Sequence, residues 1–232
     1  MEEICTNEVD AWQEAQRKLA SEINIVVKHY TENSYVMGLD VQYVGNDAYV
    51  AATVLSLGAK ENYKHYVWKT QTDAPYIPQY FAFKEGPVLK AFIERYISQQ
   101  TILPDIFVVD GQGTAHPRKA GLACWLGVAL QKTVIGCAKE SLLPYESPSE
   151  EAMSYKAIRL EESIVGYMLR SQSNTKPICI SAGHLINQEQ ALAIIQQLIG
   201  KYRNPDVMRL ADQTARTFAK GILNASEKVI FL

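Results

Sequence analysis

The stretch Tyr35-Val-Met-Gly-Leu-Asp-Val-Gln-Tyr-Val44, turned by Gly45-Asn-Asp47 and followed by Ala48 to Leu57 and Tyr63 to Thr72, decides the fold. Its runs are rich in Val, Tyr and Thr, whose branched and aromatic side chains suit a pleated surface, and Gly-Asn-Asp supplies the chemistry of a tight reversal. Three such runs in succession predict an antiparallel meander of three strands. Upstream, Val9, Trp12, Ala15, Leu19, Ile23 and Val26 recur at helical spacing, which predicts an amphipathic helix over about 8–30. Downstream, Val88, Leu89, Phe92, Ile93 and Tyr96 share one side of a helix expected from about Glu85 to Ile97.

Beyond that helix the elements alternate. Pro104-Asp-Ile-Phe-Val-Val109 and Thr133 to Ala138 are short apolar strands flanking a helical Pro117 to Leu130, the pattern of neighbouring parallel strands covered on both faces. Ser141 to Glu151 reads as an exposed loop, Ser163 to Leu169 and Pro177 to Ser181 as strands, and Gln188 to Ile199 and Leu210 to Leu223 as terminal helices. The expected fold is α/β and ribonuclease H-like: a central mixed sheet, a three-stranded antiparallel meander followed by parallel strands, and helices on both faces. A flavodoxin-like sheet competes, but it would not begin with three hairpin-linked strands. With no internal repeat and no long linker, a single domain over 1–232 is expected.

Composition narrows the class. A chain of 232 residues, 47% hydrophobic and 21% charged, can bury roughly three quarters of its unfolded surface, which excludes disorder. The apolar stretches fall far short of the roughly 20 residues that cross a bilayer, so no membrane partner is expected. An acidic, polar N-terminus and 4 scattered cysteines without metal-ligand spacing predict a reducing, intracellular, cytoplasmic setting. The net charge of -2 shows no bulk basic excess of the kind that advertises nucleic-acid binding, although net charge averages over the whole surface.

Two carboxylates stand out. Period two puts Asp40 on the strand face of Val36, Gly38, Gln42 and Val44, where a charge is costly unless compensated. Asp110 ends an apolar strand and precedes Gly111-Gln-Gly113, where backbone can approach a ligand. If their strands are neighbours the carboxylates converge, and oxygen-only sets of this kind suit Mg²⁺ or Mn²⁺. Either aspartate alone also suits a turn or a cap. Glu85, before Gly86-Pro87, reads as a first-turn helix acid, and Asp212 as an acid on a solvated helix face. Spacing does not join these four.

A more specific pattern is Asp110-Gly-Gln-Gly-Thr-Ala-His-Pro-Arg118, with Gly121-Leu-Ala123 and Ile135-Gly-Cys-Ala-Lys139. Together with Gly38-Leu-Asp-Val41, Pro75-Tyr-Ile-Pro78, Phe83-Lys-Glu85, Val165-Gly-Tyr167, Leu169-Arg170, Ser181-Ala-Gly-His184, Tyr202-Arg-Asn-Pro205 and Arg209-Leu-Ala-Asp212, it strongly resembles endonuclease V over about 36–212. That family of repair nucleases cuts near deaminated purines. The resemblance implies a metal site of Asp40, Glu85, Asp110 and Asp212 for Mg²⁺, with Mn²⁺ able to substitute, and places Lys139 near the scissile phosphate or the attacking water. It implies that Tyr76 is a wedge stiffened by Pro75 and Pro78, that Gly111 and Gly113 let the backbone approach a flipped base, and that His116 and Arg118 lie near that pocket or the phosphates. His184 would approach the site or cap a helix.

The match departs in places. Gln79 stands where the family usually has Gly after the wedge, Trp125 replaces a usual histidine, and Val207-Met208 replaces Pro-Thr. The function implied is hydrolysis of the second phosphodiester 3′ to hypoxanthine in inosine-containing DNA or RNA, by a monomer, leaving 3′-hydroxyl and 5′-phosphate ends. Gln79 motivates the alternatives: a non-cleaving module that binds nucleic acid or protein, or a ribonuclease H-like phosphoesterase with a changed substrate.

Overall fold

The computed structural model describes residues 6–75 and 77–232. Five helices and nine strands are seen among them, the strands forming one sheet. The meander is β1 (Tyr35–Val44), β2 (Asp47–Ser56) and β3 (Ala59–Gln71), antiparallel in sequence as expected. β4 (Ile106–Val109) lies parallel to β1, and β5 (Thr133–Ala138) parallel to β4. β6 (Ser154–Leu160), β7 (Ser163–Arg170), β8 (Ile178–His184) and β9 (Val229–Phe231) complete the order β6-β7-β8-β5-β4-β1-β2-β3-β9. On that side parallel pairing stops at β5, because β8, β7 and β6 add antiparallel to one another and to β5, while at the other end β9 pairs parallel with β3.

Alternation along the central strands makes two apolar layers. Met37, Leu39, Phe107 and Val109 face α2 (Phe81–Gln99) and α3 (Leu122–Leu130), while Val36, Ile106, Val108 and Ile135 face α4 (Gln188–Leu198) and α5 (Asp206–Ala219). Burying both sides of β4 and β5 is what their unbroken apolar runs require.

Several boundaries differ from the sequence reading. α1 (Thr6–Glu22) ends at Glu22, and the β-branched run after it is extended. There Asn24 N–H donates to His184 Nδ1 at 3.1 Å, and the Asn24 carbonyl accepts from Leu185 N–H at 2.7 Å. α2 begins at Phe81, so Glu85 sits inside the helix on its buried face rather than in its first turn. α3 begins only at Leu122. Gly121 N–H donates to the Gly113 carbonyl at 3.0 Å, which packs the 113–121 loop too tightly for helix. β6 and β9 are strands the sequence reading lacked. No described helix is long and apolar enough to cross a membrane.

Candidate active site

The register Leu39↔Val109 between β1 and β4 puts Asp40 and Asp110 side by side where β4 stops and β1 continues. Asp40 is buried, facing the α5 layer, and its antiparallel neighbour Ala51 is small and fully covered. Gly38, two residues earlier on the same face, lets α5 rest on β1, which carries Asp212 to the strand ends. Glu85 comes from the other layer on α2, whose buried face holds Ala82, Glu85, Val88, Leu89 and Phe92. Asp40, Glu85, Asp110, Asp212 and Lys139 all line one cavity of about 580 Å³, with Gln42, Gln79, Gly111, Gln112, His116 and Arg216.

Charge is distributed unevenly within it. Lys139 Nζ lies 2.9 Å from Asp110 Oδ2, and Arg216 pairs with Asp212 Oδ1 at 3.0 Å. The Asp110 carboxylate holds the Lys139 ammonium above its ordinary pKa. Asp40 and Glu85 are buried, and among the described residues neither forms an ion pair. Burial first, then the charges of Asp110 and Asp212, push the Asp40 carboxyl up to about 7. Glu85 rises well above the carboxylate range for the same reason, with Asp40 and Asp110 as its neighbours. Burial, then Glu85 and Asp40, also raise the Tyr43 phenol, whose buried Oη makes no geometrically sound hydrogen bond.

Such a set of oxygen donors, with more negative charge than its two cations balance, suits a hard divalent ion. The fit is of chemistry and placement rather than of finished coordination. Among the described residues no three His, Cys, Asp or Glu side chains already surround a common point, and Asp110 and Asp212 are each held by a basic side chain.

The remaining sequence-predicted residues separate. Tyr76 lies outside the described residues. Pro78 is exposed and does not line the cavity. Gln79 takes φ 68°, the left-handed backbone that glycine favours. Its carbonyl accepts from His116 Nε2 at 3.0 Å and from Gln16 Nε2 at 2.9 Å.

His116 Nδ1 accepts from Arg118 N–H at 3.2 Å, and burial lowers its pKa to about 4. It is therefore a neutral Nε2–H imidazole that holds the Gln79 turn, and it brings no positive charge to a phosphate at neutral pH. Arg118 is committed to the same turn. It bonds Gln16 and Gln79 Oε1 and stacks 4.8 Å from the Tyr80 ring centre.

Gly111 lines the cavity, but Gly113 does not. A Cβ on Gly113 would lie 2.2 Å from the Ala182 carbonyl, so packing against β8 is what demands glycine there. His184 is buried against the 23–28 segment away from the cavity, and the α4 cap is Asn187, whose Oδ1 accepts from Gln190 N–H at 2.8 Å. Trp125 fills the space over Gly86 between α2 and α3, which accounts for a large residue at that departure. Arg216 is a lining cation that the sequence reading lacked. Its only signal is its place four residues after Asp212, a spacing that makes helix ion pairs.

Known proteins share this sequence pattern and fold. The sequence profile of the family described as Endonuclease V matches residues 17–213. Endonuclease V of Roseiflexus castenholzii is 35% identical over 182 residues, covering 78% of this chain and 80% of that protein. Endonuclease V of Dictyoglomus turgidum is 34% identical over 211 residues, covering 90% and 89%. The crystal structure of Endonuclease V from Streptomyces avermitilis superposes with a TM-score of 0.81 at 30% identity, covering 91% of this chain and 93% of that one. Ciona intestinalis Endonuclease V, solved with a 24mer DNA containing an inosine followed by a ribo-adenosine, shares the fold with a TM-score of 0.81 at 24% identity, covering 94% and 100%. The chain, a ribonuclease H-like α/β protein with four carboxylates at one cavity, belongs to the Endonuclease V family of nucleases.

Proposed function

We propose that this protein is a divalent-metal-dependent endonuclease that hydrolyses the second phosphodiester 3′ to hypoxanthine in inosine-containing nucleic acid, leaving 3′-hydroxyl and 5′-phosphate ends. The observation that carries the reading is the meeting of Asp40, Glu85, Asp110, Asp212 and Lys139 at one cavity. Asp40 and Asp110 would be the principal Mg²⁺ ligands, with Glu85 and Asp212 completing an oxygen shell and Mn²⁺ able to replace Mg²⁺. A divalent ion bound there supplies Lewis acidity, lowering the pKa of water and neutralising charge on the phosphate. Lys139 brings a positive charge to the scissile phosphate or the attacking water. Arg216 offers a second cation to the backbone once Asp212 turns to other partners.

Membership of the family and the inosine-containing DNA bound by the Ciona protein support a deaminated purine as the lesion. Its base would enter beside Gly111, with Pro78 on the loop that approaches the stack and Tyr76 as the aromatic that would fill the gap. The Gln79 turn, braced by Gln16, His116 and Arg118, is the rigid base of that tip.

The test is incubation of the protein with Mg²⁺ or Mn²⁺ and matched DNA and RNA strands, with and without a single inosine, followed by mapping of the cut. Cleavage directly 3′ of the nucleotide that follows the inosine, lost in Asp40→Ala and Asp110→Ala, is expected. Inert wild type that binds inosine strands as its variants do would make the protein a binding module instead. Cutting indifferent to inosine would mean a nuclease with another substrate.

A further inference from the structure

β5 ends at Ala138, which pairs with Cys179 of β8, and Pro177 stands just before β8. Continuing that ladder past Ala138 would set Pro177 opposite Glu140, and proline has no N–H to offer its carbonyl. Past the end of the ladder the carbonyls of Lys139, Lys176 and Pro177 take side-chain donors instead. Arg203 provides them. Its Nε donates to the Lys176 carbonyl at 2.7 Å, and Nη2 donates to the carbonyls of Lys139 at 2.7 Å and Pro177 at 3.0 Å.

The opposite flank of the same exit is also held, because Gln112 Nε2 donates to the Glu140 carbonyl at 2.9 Å. Arg203 is itself anchored: its carbonyl accepts from Ser171 Oγ at 2.5 Å, just past β7. Pro205, close behind it, opens α5, the helix of Asp212. A planar guanidinium can reach three acceptors spread across two chain segments, which an ammonium on a flexible stem does not reproduce.

We propose that Arg203 is a positioning residue: its guanidinium ties the Lys139 carbonyl to those of Lys176 and Pro177 at the β5–β8 exit and thereby fixes where the Lys139 ammonium stands against Asp110 and the substrate phosphate. The role rests on the reading of Lys139 given above. Because Lys139 sits outside the strand, nothing in the β ladder sets the direction of its side chain. The two side-chain clamps on residues 139 and 140 do.

The experiment compares wild type, Arg203→Ala, Arg203→Lys, Lys139→Ala and the Arg203→Ala/Lys139→Ala double variant. Single-turnover cleavage of an inosine strand with Mg²⁺ is read together with strand affinity and the ¹⁵N signal of the Lys139 ammonium. Arg203→Ala is expected to slow cleavage about 10- to 100-fold with affinity changed less than about threefold, and to slow the Lys139→Ala background less than about twofold. Arg203→Lys should recover little of the loss. Cleavage by Arg203→Ala at the wild-type rate, or an equal penalty in both backgrounds, would overturn the proposal.

If Arg203→Ala does not fold, Arg203→Lys carries the same comparison. If wild type cuts nothing, the nuclease reading fails separately. The ammonium signal then decides the positioning claim: it supports the claim if Arg203→Lys shifts or broadens it, and overturns it if the signal is unchanged.

Discussion

Gly38 on β1 lies under the Val207 carbonyl of α5, and a Cβ there would stand 2.6 Å from that oxygen. The helix that carries Asp212 therefore rests directly on the strand that carries Asp40. Gly38→Ala must lift α5 away from β1, and overpacking of this kind costs about 1–3 kcal/mol. A thermal melt should show that loss, and single-turnover cleavage should fall at least about tenfold because Asp212 moves with the helix. Unchanged values for both would mean that this contact does not set the site.

The unpaired carboxyl groups set a pH dependence in the absence of metal. Asp40 titrates at about 7 when folded against an ordinary value of 3.8, so the folded chain binds more protons in that window. Stability of chelator-treated protein should then be highest in acid and fall as pH rises towards 7, by at most about 4 kcal/mol from Asp40 and with Glu85 acting in the same direction. Asp40→Asn should flatten the curve. Urea midpoints that do not differ between about pH 5 and about pH 8 would contradict this.

Metal binding should displace those protons. Calorimetric titration with Mg²⁺ near neutral pH, in two buffers of different ionisation enthalpy, should reveal proton release that shrinks in Asp40→Asn. For the same reason cleavage at limiting metal should rise with pH through about 7, since the ligand form of Asp40 is the carboxylate. A rate that is flat across that range would argue that Asp40 is not a ligand.

Lys139→Ala removes the ammonium 2.9 Å from Asp110. Cleavage is expected to drop about 10²- to 10³-fold, while the melting midpoint hardly moves, because a pair this exposed stabilises the fold by less than about 1 kcal/mol. Arg216→Ala should act differently. It should weaken strand binding and reduce the slope of log affinity against log salt by about 1, the signature of one lost phosphate contact. A salt slope identical to wild type would remove Arg216 from the interface.

Gln79 holds a left-handed turn at φ 68° that glycine adopts with less strain. Gln79→Gly should change stability by no more than about 1 kcal/mol, since relief of the turn is offset by the looser unfolded chain and the lost Arg118 contact. Its discrimination of inosine over unmodified strands should stay within a few-fold, because the main-chain carbonyl is what binds His116 and Gln16. Gln79→Val, β-branched at positive φ, should lose both stability and discrimination. If Gln79→Gly abolishes discrimination, the glutamine side chain itself reads the base.

The meander and the Asp40–Asp110 meeting were legible because strand alternation and apolar runs are local signals. Glu85 was misplaced because the helix begins at Phe81, after Tyr80, with no capping side chain to announce it. Period-four apolar spacing continues through Ile23 and Val26, yet the chain there is extended, since its backbone bonds go to His184 and Leu185, distant in sequence. Strand β6 was missed because Ser-Tyr-Lys-Ala-Ile-Arg-Leu is a half-exposed edge with little apolar alternation. His116 and Arg118 were read as ligand-facing, and only the fold shows them bound to Gln79.

The ends of the sheet carry a consequence for solution behaviour. One edge is β9, three residues long. The other is β6, which exposes Lys156 and Arg159 and breaks its register between Ile158 and Arg159. Short, charged and irregular borders are poor templates for a second copy's strand. Neither border of the sheet therefore invites strand-by-strand growth, which protects a concentrated stock from fibril-like clumping.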